Sequence, residues 1–414
     1  MIAEQAAGRP KTSKRKDARN LTRRPLHSVR VVDLTHVLAG PICTTILADL
    51  GADVVKIERL GQGDISRKVE PCHEGESYYF AALNRNKRSL ALDLKCNAGR
   101  HILEQLVERA DVLVENFRPG ALEALGFGYD RLLELNPSLV ICSISGFGQT
   151  GPLRDYKSFD LVAQAMTGLI SLTREGTAPL RIVIGDILAG VYGSVSIASA
   201  LVGRIGSGRG CVIDLSLFES LLTIFPYFAG RYLADGELPA PTSSGDAMAV
   251  PYGIYRAADD DLVIAAYGDH LWQSLCRAID LAELAADEEL NTNAGRLKRR
   301  EEVESALVER LKTKTVAQWC DVFAAAGIPH APIVNIGAAL DHPHTRSRGM
   351  IVEFEHPKCG MVKSVGSAIH INGEPIPGSA TPGPILGEHT EQLLTELGYN
   401  SAMIVRLRTE GAVG

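Results

Sequence analysis

The sequence predicts an α/β fold: a Rossmann-like large domain followed by a smaller α+β domain. Three observations carry this. From Val29 onward, short apolar strand patterns alternate with helical ones, the signature of βαβ units and a parallel sheet with helices on both faces. Residues 235–250 (DGELPAPTSSGDAMAV) concentrate Pro, Gly and Ser and read as a linker. Beyond the linker, two strand patterns give way to mostly helical sequence.

In order, residues 29–34 form a short buried strand, and Ala39-Gly40-Pro41 opens a helix over 42–50, with Pro41 at a tolerated first-turn position. Residues 53–57 (DVVKI) are the next strand, completing a parallel, right-handed βαβ unit. No G-x-G-x-x-G follows the first strand, which disfavours a bound dinucleotide and a nicotinamide oxidoreductase. The alternation continues through strand 89–94, helix 97–109 with Asn97 as N-cap, and strands 112–115 and 139–144. Helix 159–170, a long helix that includes Asp186, strand 212–215 and helix 217–233 complete this part. After the linker come strands 252–256 and 262–267, helices to about residue 340, strands 351–354 and 362–371, and a final helix over 389–397. The boundaries that follow are a basic extension 1–25, the large domain 26–232, a linker 233–250, a small domain 251–345 and a C-terminal segment 346–414.

A chain of 414 residues is long enough for a large core, and its net charge of −6 gives no electrostatic case for nucleic acid. Residues 9–30 hold nine Lys or Arg against the single acid Asp17 and read as a disordered basic extension. No apolar leader and no uninterrupted apolar run of membrane-spanning length is present, so neither secretion nor a membrane span is expected. The eight cysteines are scattered without a C-x-x-C pair, which fits a reducing cytoplasm; a mitochondrial matrix is the alternative if the basic extension serves as a presequence. His342 and His344 sit in a DHPHT turn without further ligand spacing, so no metal is expected.

The chemistry is placed in residues 181–193 (RIVIGDILAGVYG). Asp186 follows an apolar run and opens a helix rich in small residues. The free N–H groups and dipole of a helix N-terminus favour an ionised carboxylate. Two readings stay open on these residues alone, an N-cap and a nucleophile. Polar segments recur just past the strand ends, where open α/β sheets bind ligands: THVLAGP (35–41), KIERLGQGD with Lys56, Glu58 and Arg59, NRNKRSLALDLK with Asn84, Arg85, Lys87, Arg88 and Lys95, then VENFRPG and YKSFDLVAQ. Each charge alone reads as a solvated surface residue, but their recurrence suits a polyphosphate ligand.

Taken together, VVDLTHVLAGP, LGADVVKIER, NKRS, LDLK, ADVLVENFRPGAL, GFGQTGP and LGEHT resemble the class III CoA-transferase family, the group of formyl-CoA transferase and carnitine CoA-transferase. The resemblance runs from Leu26 to Gly398. It implies a Rossmann-like large domain built from both ends of the chain, with residues 346–414 returning to it, and an interlocked ring-like homodimer. It also implies coenzyme A thioesters as substrates, no prosthetic group, and no nucleic-acid or membrane partner. The family's nucleophilic aspartate falls on Asp186. Its CoA contacts fall on Leu38, Ala39, Arg59, Leu92, Asp93, Leu94, Lys95, Asn116, Phe117, Arg118, Lys157, Ser158, Phe159 and Asp160. Arg59 and Lys157 take the place of phosphate or pantetheine-side cations, and Asp160 that of a functional glutamate.

Departures from formyl-CoA transferase are Leu38 in place of glutamine, Ala124 in place of a CoA-contacting arginine, and a single glycine in residues 242–247 where that enzyme has a glycine-run loop. They point toward the branch using succinyl-CoA and dicarboxylic acids. The implied reaction carries the acyl group, then CoA, on the aspartate, with backbone N–H groups near Gly146 to Gly148 or in the linker as candidate oxyanion donors. The alternatives are an α-methylacyl-CoA racemase-like epimerase, which needs an acid–base pair where this chain reads GFGQTGPLRDY, and a non-catalytic CoA-binding subunit of a heteromeric transferase.

Overall fold

The computed structural model of the chain describes residues 24–172, 179–238, 248–377 and 380–414. Nearly all of the expected basic extension, and the stretch 242–247, lie outside the described residues. Two compact units are present. One contains the described residues of Met1–Leu169, Pro179–Ile224 and Pro343–Gly414; the other contains those of Ile170–Ala178 and Phe225–His342.

In the first unit six strands form one sheet: β1 (Arg30–Asp33), β2 (Asp53–Arg59), β3 (Lys87–Leu92), β4 (Val112–Glu115), β5 (Val140–Ser145) and β6 (Cys211–Ser216). Their order is β3-β2-β1-β4-β5-β6, and every pair is parallel. This is the doubly wound order of dinucleotide-binding sheets, reached here without the glycine fingerprint. Strands β4 and β5 are buried along their whole length, which explains continuous apolar runs rather than alternation. Strand β3 starts at Lys87, two residues before the expected start. The Lys87 side chain is fully buried on Asp33 at 3.1 Å, and a strand that opens on a buried cation has no apolar signature.

Helix α1 (Ala39–Asp49) starts three residues before the expected position. Next come α2 (Tyr78–Leu83), which was not anticipated, and α3 (Asn97–Arg109). The cap of α3 is Cys96, whose sulfur accepts from the Gly99 N–H at 3.3 Å, so Asn97 is its first helical residue and not its N-cap. Helix α4 (Asp160–Met166) is shorter than expected; Gly168, at φ +85°, follows it in a left-handed turn. Helix α5 (Ile184–Ser207) carries Asp186 in its first turn. The expected single helix 217–233 is two, α6 (Leu217–Leu222) and α7 (Pro226–Asp235), because Pro226 lacks an N–H and takes a first-turn place.

Small residues on α5 set its distance from α1. A Cβ at Gly190 would lie 2.7 Å from the Ala39 carbonyl oxygen, and one at Gly193 would lie 2.9 Å from the Cys43 sulfur. Asp186 and Gly190 are four residues apart and share a helix face, so the packing at Gly190 brings Asp186 to the start of α1. Among the described residues α5 is also the one helix long and apolar enough to cross a membrane. Its inner face is covered by α1, while Val191, Val195, Val202 and Ile205 on the other side are exposed.

Strands β10 (Ile351–His356) and β11 (Gly360–Val365) form a hairpin; the expected strand 362–371 ends at Val365, and His370 and Ile371 pair separately. Two helices close the chain, α8 (Thr390–Leu397) and α9 (Ser401–Thr409), where a single one was expected. Leu393, Leu394, Ile404, Leu407 and Val413 join Val32, Leu90, Leu92 and Leu113 in one core, so both ends of the chain build this unit.

The second unit has an antiparallel sheet of β7 (Tyr252–Arg256), β8 (Asp261–Ala265) and β9 (His330–Pro332), in the order β9-β8-β7. Trp272, Trp319 and Phe323 fill its core with Leu262 and Ile264. Arg296, fully buried, donates to the Val250 and Leu290 carbonyls at 2.7 and 2.9 Å and pairs with Asp269 at 3.1 Å.

Candidate active site

Parallel strands end on one rim of the sheet, and a cleft runs along it. His36, Val37, Leu38 and Ala39 follow β1; Asn116, Phe117 and Arg118 follow β4; Ser145 and Gly146 close β5; Lys157, Ser158 and Phe159 precede α4; and Asp186 projects from α5. A second pocket shares His36 and Phe117 with it and continues to Arg59, Leu92, Asp93, Leu94 and Lys95. The fourteen residues matched to CoA contacts therefore divide into eight in the cleft with Asp186, five in the adjoining pocket, and Asp160, which lines neither.

Asp160 has a different place. Its Oδ1 accepts from the backbone N–H of Gly185 at 2.6 Å and of Asp186 at 3.2 Å, capping α5 from outside, and Gln164 donates to its Oδ2 at 2.5 Å. Gly185 makes this approach feasible, since a Cβ there would lie 2.8 Å from Asp160 Oδ1. The N-cap reading of Asp186 is thereby corrected. Val183 is the N-cap residue, Asp160 supplies the acceptor, and the Asp186 carboxylate has no hydrogen-bond or ion-pair partner among the described residues. The expectation of a carboxylate stabilised in its ionised form is also reversed. Burial, and then the negative charge of Asp160, push the Asp186 carboxyl up to about 7, because its helix donors are already occupied.

The cations sort into two kinds. Lys56 pairs with Asp64 at 3.0 Å, Arg85 with Asp49 at 2.5 Å, and Lys87 with Asp33 at 3.1 Å, all buried, while Arg88 spans Asp53 and Glu396 at 2.6 and 2.8 Å. These four hold the scaffold and are not open to a phosphate, which corrects the reading of them as ligand cations. Arg59, Lys95, Arg118 and Lys157 are exposed in the two pockets, with no carboxylate at ion-pair distance among the described residues.

Three features had no sequence signal. Tyr79 of α2 has its hydroxyl pushed up to about 12 by burial and by the charges of Asp186 and Asp64, which places a neutral phenol by the candidate nucleophile. His36 stacks on Phe117 with ring centroids 5.6 Å apart, and burial lowers its pKa, so its ring is neutral at pH 7. Third, Leu38 caps α1 without a side-chain acceptor, so the first-turn N–H groups of Ala39 and Gly40 have no acceptor among the described residues. The expected oxyanion donors near Gly146 to Gly148 are partly used, since the Gly148 N–H donates to Ser145 Oγ at 2.9 Å.

A doubly wound sheet with its cleft at the carboxyl ends of the strands defines an α/β ligand-binding architecture. Comparison with known proteins supplies the family. The model of CoA-transferase family III matches residues 26–390, and the chain belongs to that family of CoA-transferring enzymes. It is 34% identical over 411 residues to succinyl-CoA:glutarate CoA-transferase of Homo sapiens, covering 98% of this chain and 92% of that one. It is 38% identical to acetyl-CoA:oxalate CoA-transferase of Acetobacter aceti, covering 91% and 97%. To succinyl-CoA:mesaconate CoA-transferase of Haloarcula hispanica it is also 38% identical, again covering 91% and 97%. Among solved structures it resembles a CAIB/BAIF family protein from Brucella suis, with a TM-score of 0.79 and 32% identity over 91% of this chain and all of that one.

Proposed function

We propose that this enzyme moves CoA from an acyl-CoA donor to a carboxylic acid, with Asp186 carrying first the acyl group and then CoA. The observation that carries the reading is a carboxylate without a partner among the described residues, in a cleft shared with exposed cations and the start of α1, which has no side-chain cap. The ionised Asp186 attacks the thioester carbonyl carbon; a C–O bond forms, the C–S bond breaks, and CoA leaves as thiolate. The thiolate attacks the Asp186 carbonyl carbon of the mixed anhydride, forming an aspartyl thioester and freeing the donor acid. The acceptor carboxylate then attacks that thioester, and the thiolate released attacks the acceptor's carbonyl carbon in the new anhydride, giving the new acyl-CoA and free Asp186. No proton, metal or nucleotide is consumed.

The raised pKa of Asp186 makes its ionised form a stronger nucleophile. The N–H groups of Ala39 and Gly40 are the donors we assign to the oxygen that becomes negative. Arg59 and Lys95 suit the nucleotide phosphates, and Arg118 and Lys157 suit charge nearer the acyl end. Both intermediates hydrolyse if water reaches them, so the cleft must close. A second copy of the chain, in the intertwined dimer of our proposal, is suited to this closure: the outer face of α5 is exposed and apolar, and β6 is an edge strand among the described residues. We assign dicarboxylic acids as acceptors because the names of all three relatives carry one, and succinyl-CoA as donor because two of the three do.

The test is a panel of acyl-CoA donors against mono- and dicarboxylic acids, with mass spectrometry of the new thioester. Hydroxylamine should attack the activated Asp186 carbonyl of the anhydride or thioester, releasing the donor acid or CoA and leaving a hydroxamate on Asp186. Transfer at the parent rate by Asp186→Ala would end the proposal.

A further inference from the structure

The segment that leaves β1 is held in a way the reaction scheme alone does not require. Val37 has a φ of +67°, a left-handed backbone that a β-branched residue adopts only under constraint. The constraint is visible. Lys56 Nζ, from β2, donates to the Thr35 carbonyl at 2.7 Å, and Asp64 Oδ1 accepts from the Val37 N–H at 3.1 Å. Lys56 and Asp64 pair at 3.0 Å with side chains 0% and 1% exposed. Between these anchors the Asn116 side chain accepts from the His36 N–H and donates to the His36 carbonyl, both at 2.9 Å. Backbone groups from Thr35 to Val37 are thus held by side chains from other segments. The next residues are Leu38 and Ala39, at the start of α1 in the cleft with Asp186.

We propose that Asp64 and Lys56 are positioning residues for the transfer reaction, holding Val37 left-handed so that the wall from His36 to Ala39 stands at the right distance from Asp186. A buried ion pair is a weak source of stability and a good one of a defined geometry. Here its two ends grip the backbone on either side of His36, at the Thr35 carbonyl and at the N–H of the strained Val37 itself. Released from Asp64, Val37 relaxes to negative φ, and the N–H groups at the start of α1 turn away from the reacting carbonyl. Glycine at 37 has no such preference, because it populates both signs of φ. The proposal rests on Asp186 as acyl carrier.

The experiment is a double-mutant cycle in the full chain, with Asp64→Ala and Val37→Gly singly and together. It reads kcat and KM for acyl-CoA, hydroxylamine trapping on Asp186, and thermal unfolding. With Val37 present, Asp64→Ala should lower kcat about tenfold or more, with KM within about threefold. In the Val37→Gly background the same change should cost no more than about threefold. The expected coupling is therefore about threefold or more, or at least about 0.7 kcal/mol. Equal losses in the two backgrounds, or a loss confined to KM, would overturn the proposal. If Asp64→Ala does not fold, Asp64→Asn takes its place in the cycle, with a smaller kcat loss that Val37→Gly again relieves; absence of relief is equally fatal. Loss of trapping in the parent enzyme would instead refute the acyl-carrier reading, so the two failures are distinguishable.

Discussion

Asp186→Asn should make the folded protein more stable at pH 8 than its parent, and by less as the pH falls. In the folded chain the Asp186 carboxyl sits at about 7, against an ordinary value of 3.8. A carboxyl raised on folding leaves stability intact below its unfolded value and removes it as the pH climbs through the folded value. The window is therefore pH 4 to 7, and stability declines across it. A difference of about three pH units at about 1.4 kcal/mol each gives roughly 4 kcal/mol as an upper bound for the charge held at pH 8. The amide in Asp186→Asn has its own burial cost, but that cost is independent of pH and cancels when two pH values are compared. The assay is denaturant unfolding of parent and variant at pH 5 and pH 8 without ligand. The variant's advantage should be larger at pH 8 than at pH 5 by about 1 to 3 kcal/mol. An advantage that is the same at both values, or larger at pH 5, would refute the account of a strained carboxylate whose donors are taken by Asp160.

Other expectations follow from the same geometry. Asp160→Asn keeps an acceptor for the Gly185 N–H and removes a charge, so the acid limb of the kcat/KM profile, near pH 7 in the parent, should move to lower pH. Gly185→Ala places a Cβ against Asp160 Oδ1, and a kcat loss of about tenfold or more, read in steady-state transfer, is the outcome expected. Arg59→Ala and Lys95→Ala should each raise KM for acyl-CoA with little change in kcat, by an amount that shrinks in high salt; an unchanged KM would remove these cations from the phosphate site. Arg296→Met should destabilise the second unit by about 1 to 3 kcal/mol for each of the two buried carbonyls it leaves unmet, as measured by a lower unfolding midpoint.

Much of the sheet was legible because β4 and β5 are continuous apolar runs bounded by turns, and helix 97–109 carries clear amphipathic periodicity. What escaped depended on groups far apart in sequence. Whether Asp186 caps its own helix was decided by Asp160, twenty-six residues earlier, and no local pattern records that. The structural cations Lys56, Lys87 and Arg85 look like Arg59 and Lys95 in a sequence; only the buried acids Asp64, Asp33 and Asp49 separate them. Tyr79 reads as an ordinary aromatic before a strand. Pro226 divides the helical pattern of residues 217–233 into α6 and α7 because it lacks the N–H a continuous helix needs.

The core under the sheet joins Val32 and Leu92 to Leu394 and Val413, with Leu92 and Val413 bridged directly. Val413 must thus be synthesised before the cleft's foundation can close, and contacts so far apart in sequence are among the slowest kind to form. Removing residues 390–414 would uncover Leu92, a wall of the pocket we assign to the nucleotide, so damage far from that pocket in sequence should register as lost CoA affinity.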